Sequence, residues 1–258
     1  MIEKIKLSVC IITFNEEENI RRTLESVRDI ADEIIIVDSN SSDSTRAIAA
    51  EFTDKIFIKV WDGFVNQKNS ALKKCSGNWI LSIDADEVLS DELKQSISEA
   101  VKVDNNDFSY KINRRTFYLG KFMKYAWRPD WHLRLVRKSG NPHWVGYDVH
   151  EELKCEGLIK NINGDLFHYS YNNLEHHFTK TIDYASLSAL SYKKQGRSAK
   201  FFNLLINPII AFIRLYFINK AIFDGYRGFI AALSSLVGTF LKYAFLFELE
   251  QDEQNKKN

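Results

Sequence analysis

The chain has 258 residues, 45% of them hydrophobic, which is enough apolar material for one large domain or a domain with an appendage. A formal net charge of +1 excludes a nucleic-acid binder that relies on bulk charge, so no nucleic-acid partner is expected. The three cysteines, Cys10, Cys75 and Cys155, are odd in number and widely spaced; they make no disulfide framework and point to a reducing compartment.

The first apolar run, "LSVCIIT", is short, is followed at once by acids, and reads as a buried strand and not as a signal peptide. Asn15 is placed to cap the next helix, with Glu18 at the capping-box position and Ile20, Leu24 and Val27 on its apolar face. "EIIIVD" is a second strand, "SNSSDST" a polar loop and "STRAIAAEF" a second helix. "KIFIKV", "NQKNSALKKC" and "WILSID" continue as strand, helix and strand, and Ser90 reads as the cap of "SDELKQSISEAV". Continuous apolar strands alternating with helices predict an α/β fold with a Rossmann-like, mainly parallel sheet covered on both faces. After Val103 the pattern changes: "FSYKINRRTFYLG" and "WHLRLVRK" read as strands, and Leu174 to Lys194 as a helix.

In open α/β sheets, ligands bind beyond the carboxyl ends of the strands. Those ends are polar here: Thr13 to Glu16, Asp38 to Ser42 and Asp84 to Glu87. No Gly-x-Gly-x-x-Gly follows the first strand and no Gly-rich phosphate loop ends in Lys-Ser/Thr, which excludes the usual dinucleotide and P-loop sites. Asp38 reads either as a turn or cap residue or as an acceptor for a sugar hydroxyl or base N–H. Asp84 and Asp86, two apart at a strand end, read either as an acidic turn before a helix or as ligands converging on Mg²⁺ or Mn²⁺ bridged to a diphosphate.

The stretches "SVCIITFNEEENI", "DEIIIVDSNSSDST" and "NQKNSALKKCSGNWILSIDADE", in that order and spacing, resemble the family-2 inverting glycosyltransferases of the GT-A fold. "RPDWHLRLVRK", "WVGYDVHEEL", "HYSY" and "FDGYRGF" narrow the resemblance to bacterial lipopolysaccharide-core β-1,4-glucosyltransferases, and it covers nearly the whole chain. The resemblance implies that Thr13, Asn15 and Glu16 line the nucleotide pocket and that Asp38 holds the base. Lys68 faces the nucleotide, in place of the Arg usual before that Asn; it keeps the charge and loses the planar fork. Asp84 contacts ribose or metal, Asp86 ligates metal, and His168 is either a late metal ligand or a structural histidine. Glu151 is expected as the catalytic base, with Asp148 its competitor and Asp130 a distant third; without the resemblance, Glu151 reads equally as a solvated strand residue.

Beyond Lys200 come "FFNLLINPIIAFIRLYFI" and "FIAALSSLVGTFLKYAFLF". Ser234, Gly238 and Lys242 form a polar stripe on the second stretch; Asn203, Asn207 and Arg214 share a side of the first, which Pro208 is expected to kink. From Ser191 to Lys242 the only acid is Asp224, against eight Lys and Arg. Basic, aromatic, amphipathic helices read as lying in an anionic membrane interface; the alternatives are a dimer face, a packed appendage, or a span at Phe229–Phe247. The expected organisation is a GT-A catalytic domain over 1–195 (nucleotide-sugar half 1–103, acceptor half 104–195) and a membrane-associating helical region over 196–258. The resemblance implies an activity of metal-dependent, inverting transfer of a hexose, with UDP-glucose the leading donor by resemblance alone, to a lipid-linked saccharide at the cytoplasmic face of a bacterial inner membrane. A sugar nucleotidyltransferase of related fold and a non-catalytic membrane-docking module are the competing expectations.

Overall fold

Strands β1 (Leu7–Thr13), β2 (Glu33–Asp38), β3 (Ile56–Ile58) and β4 (Trp79–Asp84) run parallel in the computed structural model, which describes residues 6–102, 108–146 and 151–257. β1 lies between β2 and β4, and β3 forms the edge. Helices α1 (Ile20–Val27), α2 (Thr45–Ala50) and α3 (Phe64–Lys74) connect them. Side chains alternate across the pleat. Val9 and Ile11 therefore join Ile20, Leu24 and Val27 of α1, while Cys10 joins Ile35, Ala71 and Leu72 on the opposite face. Burial on both faces is why these strands read as unbroken apolar runs.

The sheet continues with β5 (Glu87–Leu89), β6 (Phe108–Tyr118), β7 (Lys121–Phe122), β8 (Trp131–Arg137) and β11 (Leu158–His168). Its order is β3-β2-β1-β4-β8-β6-β11-β5, with β7 paired to β6; β8 is antiparallel to β4, and β11 to β5. β9 (His143–Val145) and β10 (Glu152–Lys154) form a separate antiparallel pair. Helix α4 (Asp91–Lys102) starts as its sequence predicts, with Ser90 Oγ accepting the Leu93 N–H at 3.2 Å. Gly164 of β11 sits at φ +96°, where a Cβ would stand 2.3 Å from Leu93 N. Only glycine lets that strand and α4 approach so closely.

Two local expectations are corrected. The first helix begins at Ile20, and its cap position is Asn19, with no side-chain cap bond. Asn15 adopts φ 53°, a left-handed turn conformation that asparagine tolerates, and accepts the Ser42 N–H at 2.9 Å. The chain after "WILSID" also does not pass straight into a helix, because β5 intervenes and pairs with β11.

Two compact units result, Met1–Arg115 with Pro129–Tyr169, and Thr116–Arg128 with Ser170–Asn258. The second contains α5 (Leu174–Lys194), at the predicted bounds, α6 (Phe201–Ile213) and α7 (Tyr226–Lys257). α6 runs on through Pro208, and the irregular turn comes later, as a π-helical segment at Arg214–Ile218. "FDGYRGF" acts as a clasp within this unit. Asp224 accepts the N–H groups of Lys124, Tyr125 and Ala126 at 2.9, 2.9 and 2.8 Å, and Arg227 Nε donates to the Leu119 carbonyl. Gly228 lies so close to the 221–224 turn that a Cβ would stand 1.8 Å from the Ala221 oxygen.

The polar stripe on α7 packs toward α5. A Cβ at Gly238 would stand 3.0 Å from Thr181 Cγ2, and Lys242 Nζ lies 3.3 Å from the Tyr192 hydroxyl. Exposed apolar side chains instead concentrate on α6 and the turns after it, among them Phe202, Ile209, Phe217 and Phe223. The helical stretches Phe201–Ile218 and Tyr226–Asp252 are both long and apolar enough to cross a membrane, with 11% and 22% of their apolar windows buried.

Candidate active site at the strand ends

The acids that close β4 divide between two sets of partners. Asp84 Oδ2 accepts from Arg134 Nη2 at 2.7 Å, and Asp84 Oδ1 pairs with Lys68 Nζ at 2.9 Å. Glu87, fully buried, accepts from the same Arg134 nitrogen at 2.8 Å and from the Asp84 N–H at 2.9 Å, with Arg114 at 3.5 Å. Asp86 lies instead beside His168, Oδ2 to Nε2 at 3.2 Å. The register of β5 and β11 explains this, since His168 stands opposite Glu87, one residue from Asp86.

Buried carboxylates are tolerable only when paired. Burial alone would raise the Asp84 carboxyl; the Arg134 and Lys68 charges outweigh it and hold Asp84 well below the usual carboxylate range. Burial likewise opposes the Arg134 charge, and Asp84 and Glu87 more than restore it. The Trp144 ring lies 4.4 Å from Lys68 Nζ and 5.7 Å from the Arg134 guanidinium carbon, adding cation–π attraction to both.

Lys68 is the hub. Its Nζ also lies 3.0 Å from Glu151 Oε1, so one ammonium joins the end of β4 to the start of the 151–154 segment. Asn69, the next residue of α3, fixes β9 by exchanging hydrogen bonds with the Trp144 backbone at 2.8 and 2.9 Å. Glu151 Oε2 has no hydrogen-bond partner among the described residues.

The family model for glycosyl transferase family 2 matches residues 8–167, the stretch that carries these side chains except His168, which follows its last residue. The chain belongs to that family. It is 32% identical to the lipopolysaccharide core biosynthesis glycosyltransferase LpsC of Rhizobium meliloti, over 96% of this chain and 94% of LpsC. It is 33% identical to the uncharacterized glycosyltransferase RT0209 of Rickettsia typhi, over 97% and 89%. Among solved structures, the mannosyltransferase PcManGT of Pyrobaculum calidifontis, in complex with GDP-Man and Mn²⁺, superposes with a TM-score of 0.55 at 12% identity, covering 95% of this chain and 88% of that one. This likeness identifies the fold as GT-A. The family assignment removes the grounds for a sugar nucleotidyltransferase or a non-catalytic docking module.

The other residues singled out from the sequence have partners of their own. Asp38 is fully enclosed: it accepts from Thr13 Oγ1 at 2.8 Å, from Ser41 Oγ at 2.6 Å and from the Ser41 N–H at 2.8 Å. Asn15 and Glu16 tie the same loop, through Ser41 Oγ at 2.9 Å and Thr45 Oγ1 at 2.7 Å. The β1 and β2 ends are thus one hydrogen-bonded unit. Asp130 pairs with Arg114 Nε and His132 Nε2, both at 2.8 Å; against its burial, His132 and Arg114 pull its carboxyl far down. Asp148 lies outside the described residues. Asp84 and Asp86 do not converge, and no group of three or more His, Cys, Asp and Glu side chains that could hold a metal occurs among the described residues. Arg134, Arg114 and Trp144 were missed by the sequence reading. The signal available for Arg134 was a lone cation between Leu133 and Leu135 in a strand buried on both faces.

Proposed function

We propose that the protein transfers a hexose from a nucleotide diphosphate sugar to a hydroxyl of a lipid-linked saccharide, with inversion at the anomeric carbon, in lipopolysaccharide-core or related glycan synthesis. The observation that carries the reading is the Asp84–Lys68–Glu151 chain of ion pairs beside the Asp86–His168 pair. Similarity to LpsC supports the acceptor class, and glucose from UDP-glucose is the donor to test first.

A carboxylate oxygen and an imidazole nitrogen within 3.2 Å suit a divalent cation whose remaining positions a diphosphate and water would fill. Mn²⁺ accepts both donor types, whereas Mg²⁺ prefers oxygen. Asp86 and His168 would hold the ion; Asp84 would join only by leaving Arg134 or Lys68. When bound, such an ion supplies Lewis-acid stabilisation of the leaving diphosphate. Glu151 takes the proton of the acceptor hydroxyl on Oε2 while Lys68 fixes Oε1. The acceptor oxygen then bonds to the anomeric carbon as the bond to the diphosphate breaks on the opposite face. Asp38 positions the Thr13–Glu16 and Ser39–Thr45 segments that border the nucleotide.

The catalytic region is assigned to 1–195 and the membrane-associating region to 196–258. The exposed apolar side chains of α6, with the surrounding cations, support peripheral binding at the cytoplasmic face of the membrane. Donor hydrolysis across a panel of nucleotide sugars, each with Mn²⁺, Mg²⁺ or chelator, tests the chemistry. Turnover of UDP-glucose above other donors and loss in chelator are expected; equal, cation-independent turnover of all donors would overturn the assignment.

A further inference from the structure

The second unit holds a cleft of about 400 Å³ between α6 and α7, a size suited to a small ligand. Two cations line it, Arg214 and Lys242, with Asn207, Asn219, Ser235 and Thr239. Arg214 makes no ion pair among the described residues, and Lys242 contacts only the Tyr192 hydroxyl and the Tyr192 and Tyr243 rings. No carboxylate lines the cleft. The acid nearest in sequence to Arg214, Asp224, is committed to three backbone N–H groups. The side chains of Asn207, Asn219, Ser235 and Thr239 have no hydrogen-bond partner among the described residues.

The backbone is shaped to present this set. The π-helical turn Arg214–Ile218 begins at Arg214 and is closed by Asn219, whose N–H bonds to the Arg214 carbonyl at 2.8 Å. Such wide turns recur at functional sites. Ile210 lines the cleft and is itself 54% exposed, so the polar lining opens directly onto the apolar surface of Ile209, Ile213 and Phe217.

Two unpaired cations with amide and hydroxyl donors call for a multivalent oxyanion, and an apolar rim calls for hydrocarbon beside it. We propose that this cleft binds the phosphate of a membrane amphiphile, seating the headgroup between Arg214 and Lys242 while α6 lies among the acyl chains. The inference rests on the membrane-surface half of the proposed function and not on the transfer chemistry.

The test follows the indole N–H of Trp127, a residue that lines the cleft, by NMR during titration with dihexanoyl phosphatidic acid below its micellar concentration, and with inorganic phosphate. A saturable shift is expected with the lipid, and binding of inorganic phosphate weaker by about tenfold or more, because it lacks the apolar contacts. Arg214→Gln/Lys242→Gln should weaken lipid binding by about tenfold or more, and Lys200→Gln/Lys220→Gln, which removes the same charge outside the cleft, should not. Thr239→Glu, which puts a carboxylate into the cleft, should match the first variant and serves if that one folds poorly. Equal loss in both double variants, no saturable shift in wild type, or equal affinity for inorganic phosphate would each overturn the proposal. Failure of wild type to bind any vesicle would refute the membrane reading as a whole. Wild-type vesicle binding that Arg214→Gln/Lys242→Gln and Thr239→Glu both retain in full would overturn the cleft alone.

Discussion

The two units treat their cations in opposite ways. In the first, Arg134, Lys68 and Arg114 are buried or half-buried, and each meets at least one carboxylate within 3.5 Å. In the second, among the described residues, Arg214 is exposed and makes no ion pair, and Lys242 meets only aromatic rings and a hydroxyl. A closed ion-pair network holds a geometry, because removing one member strands its partner in a poor solvent. Cations without a carboxylate partner remain available to an anionic ligand. On the proposed function, the difference separates a unit that fixes reacting groups from one that meets an external surface.

The largest effect expected is at Asp86. Asp86→Ala should reduce transfer to background while circular dichroism and thermal unfolding stay near wild type, because on the proposed function the carboxylate holds the metal, and its ion pair is with His168, not with the Arg134–Asp84–Glu87 network. His168→Ala should act in the same direction. Near-normal turnover of Asp86→Ala, or full wild-type activity in chelator, would remove the metal. Next is Glu151→Gln, which keeps shape but cannot take a proton. Transfer should fall about 10²–10⁴-fold with donor binding retained. If Asp148→Asn shows that pattern and Glu151→Gln does not, the base lies in the 147–150 segment.

The third prediction sets one cation against the other. Arg134→Met should cost about 3–5 kcal/mol of stability, since Asp84 and Glu87 are left without their shared partner. Arg214→Met should change stability by no more than about 0.5 kcal/mol. Urea denaturation of both variants measures the contrast, and equal losses would mean that the open cations of the second unit are structural after all.

What could be read ahead of the structure was whatever depends on local period. The strands of the parallel sheet and the bounds of α5 follow from apolar runs and helical spacing, and the acidic strand end announced itself by charge density. What could not be read depends on pairing at a distance. Nothing local to "LFHYSY" says that β11 lies antiparallel to β5 with His168 opposite Glu87. The stripe of Ser234, Gly238 and Lys242 was visible as a stripe, but its facing element, α5, was not. Asn15 misled because asparagine serves both helix caps and left-handed turns; the choice was made by Ser41 and Ser42, more than twenty residues away.

The smallest effect concerns pH and the second unit alone. His177 is buried against Tyr118, Trp127 and Tyr171, and the Tyr118 hydroxyl lies 2.6 Å from its Nδ1. Burial raises the Tyr118 pKa, so the phenol keeps its proton and donates it, and Nδ1 accepts. That requires a neutral imidazole. Burial, with the neighbouring His176, lowers the His177 pKa from 6.5 to about 4. Between those values the unfolded chain binds a proton that the folded chain refuses, so stability is full above pH 6.5 and falls as pH drops toward 4. The loss is bounded by the shift, at most about 3 kcal/mol. Carboxylates elsewhere titrate over the lower part of this range, so the informative quantity is the difference between wild type and His177→Gln, measured by urea denaturation at the two ends of the window. Wild type should lose more on acidification than the variant, which has nothing to protonate there. Parallel losses would show that His177 is already protonated in the fold, with Tyr118 turned to another acceptor.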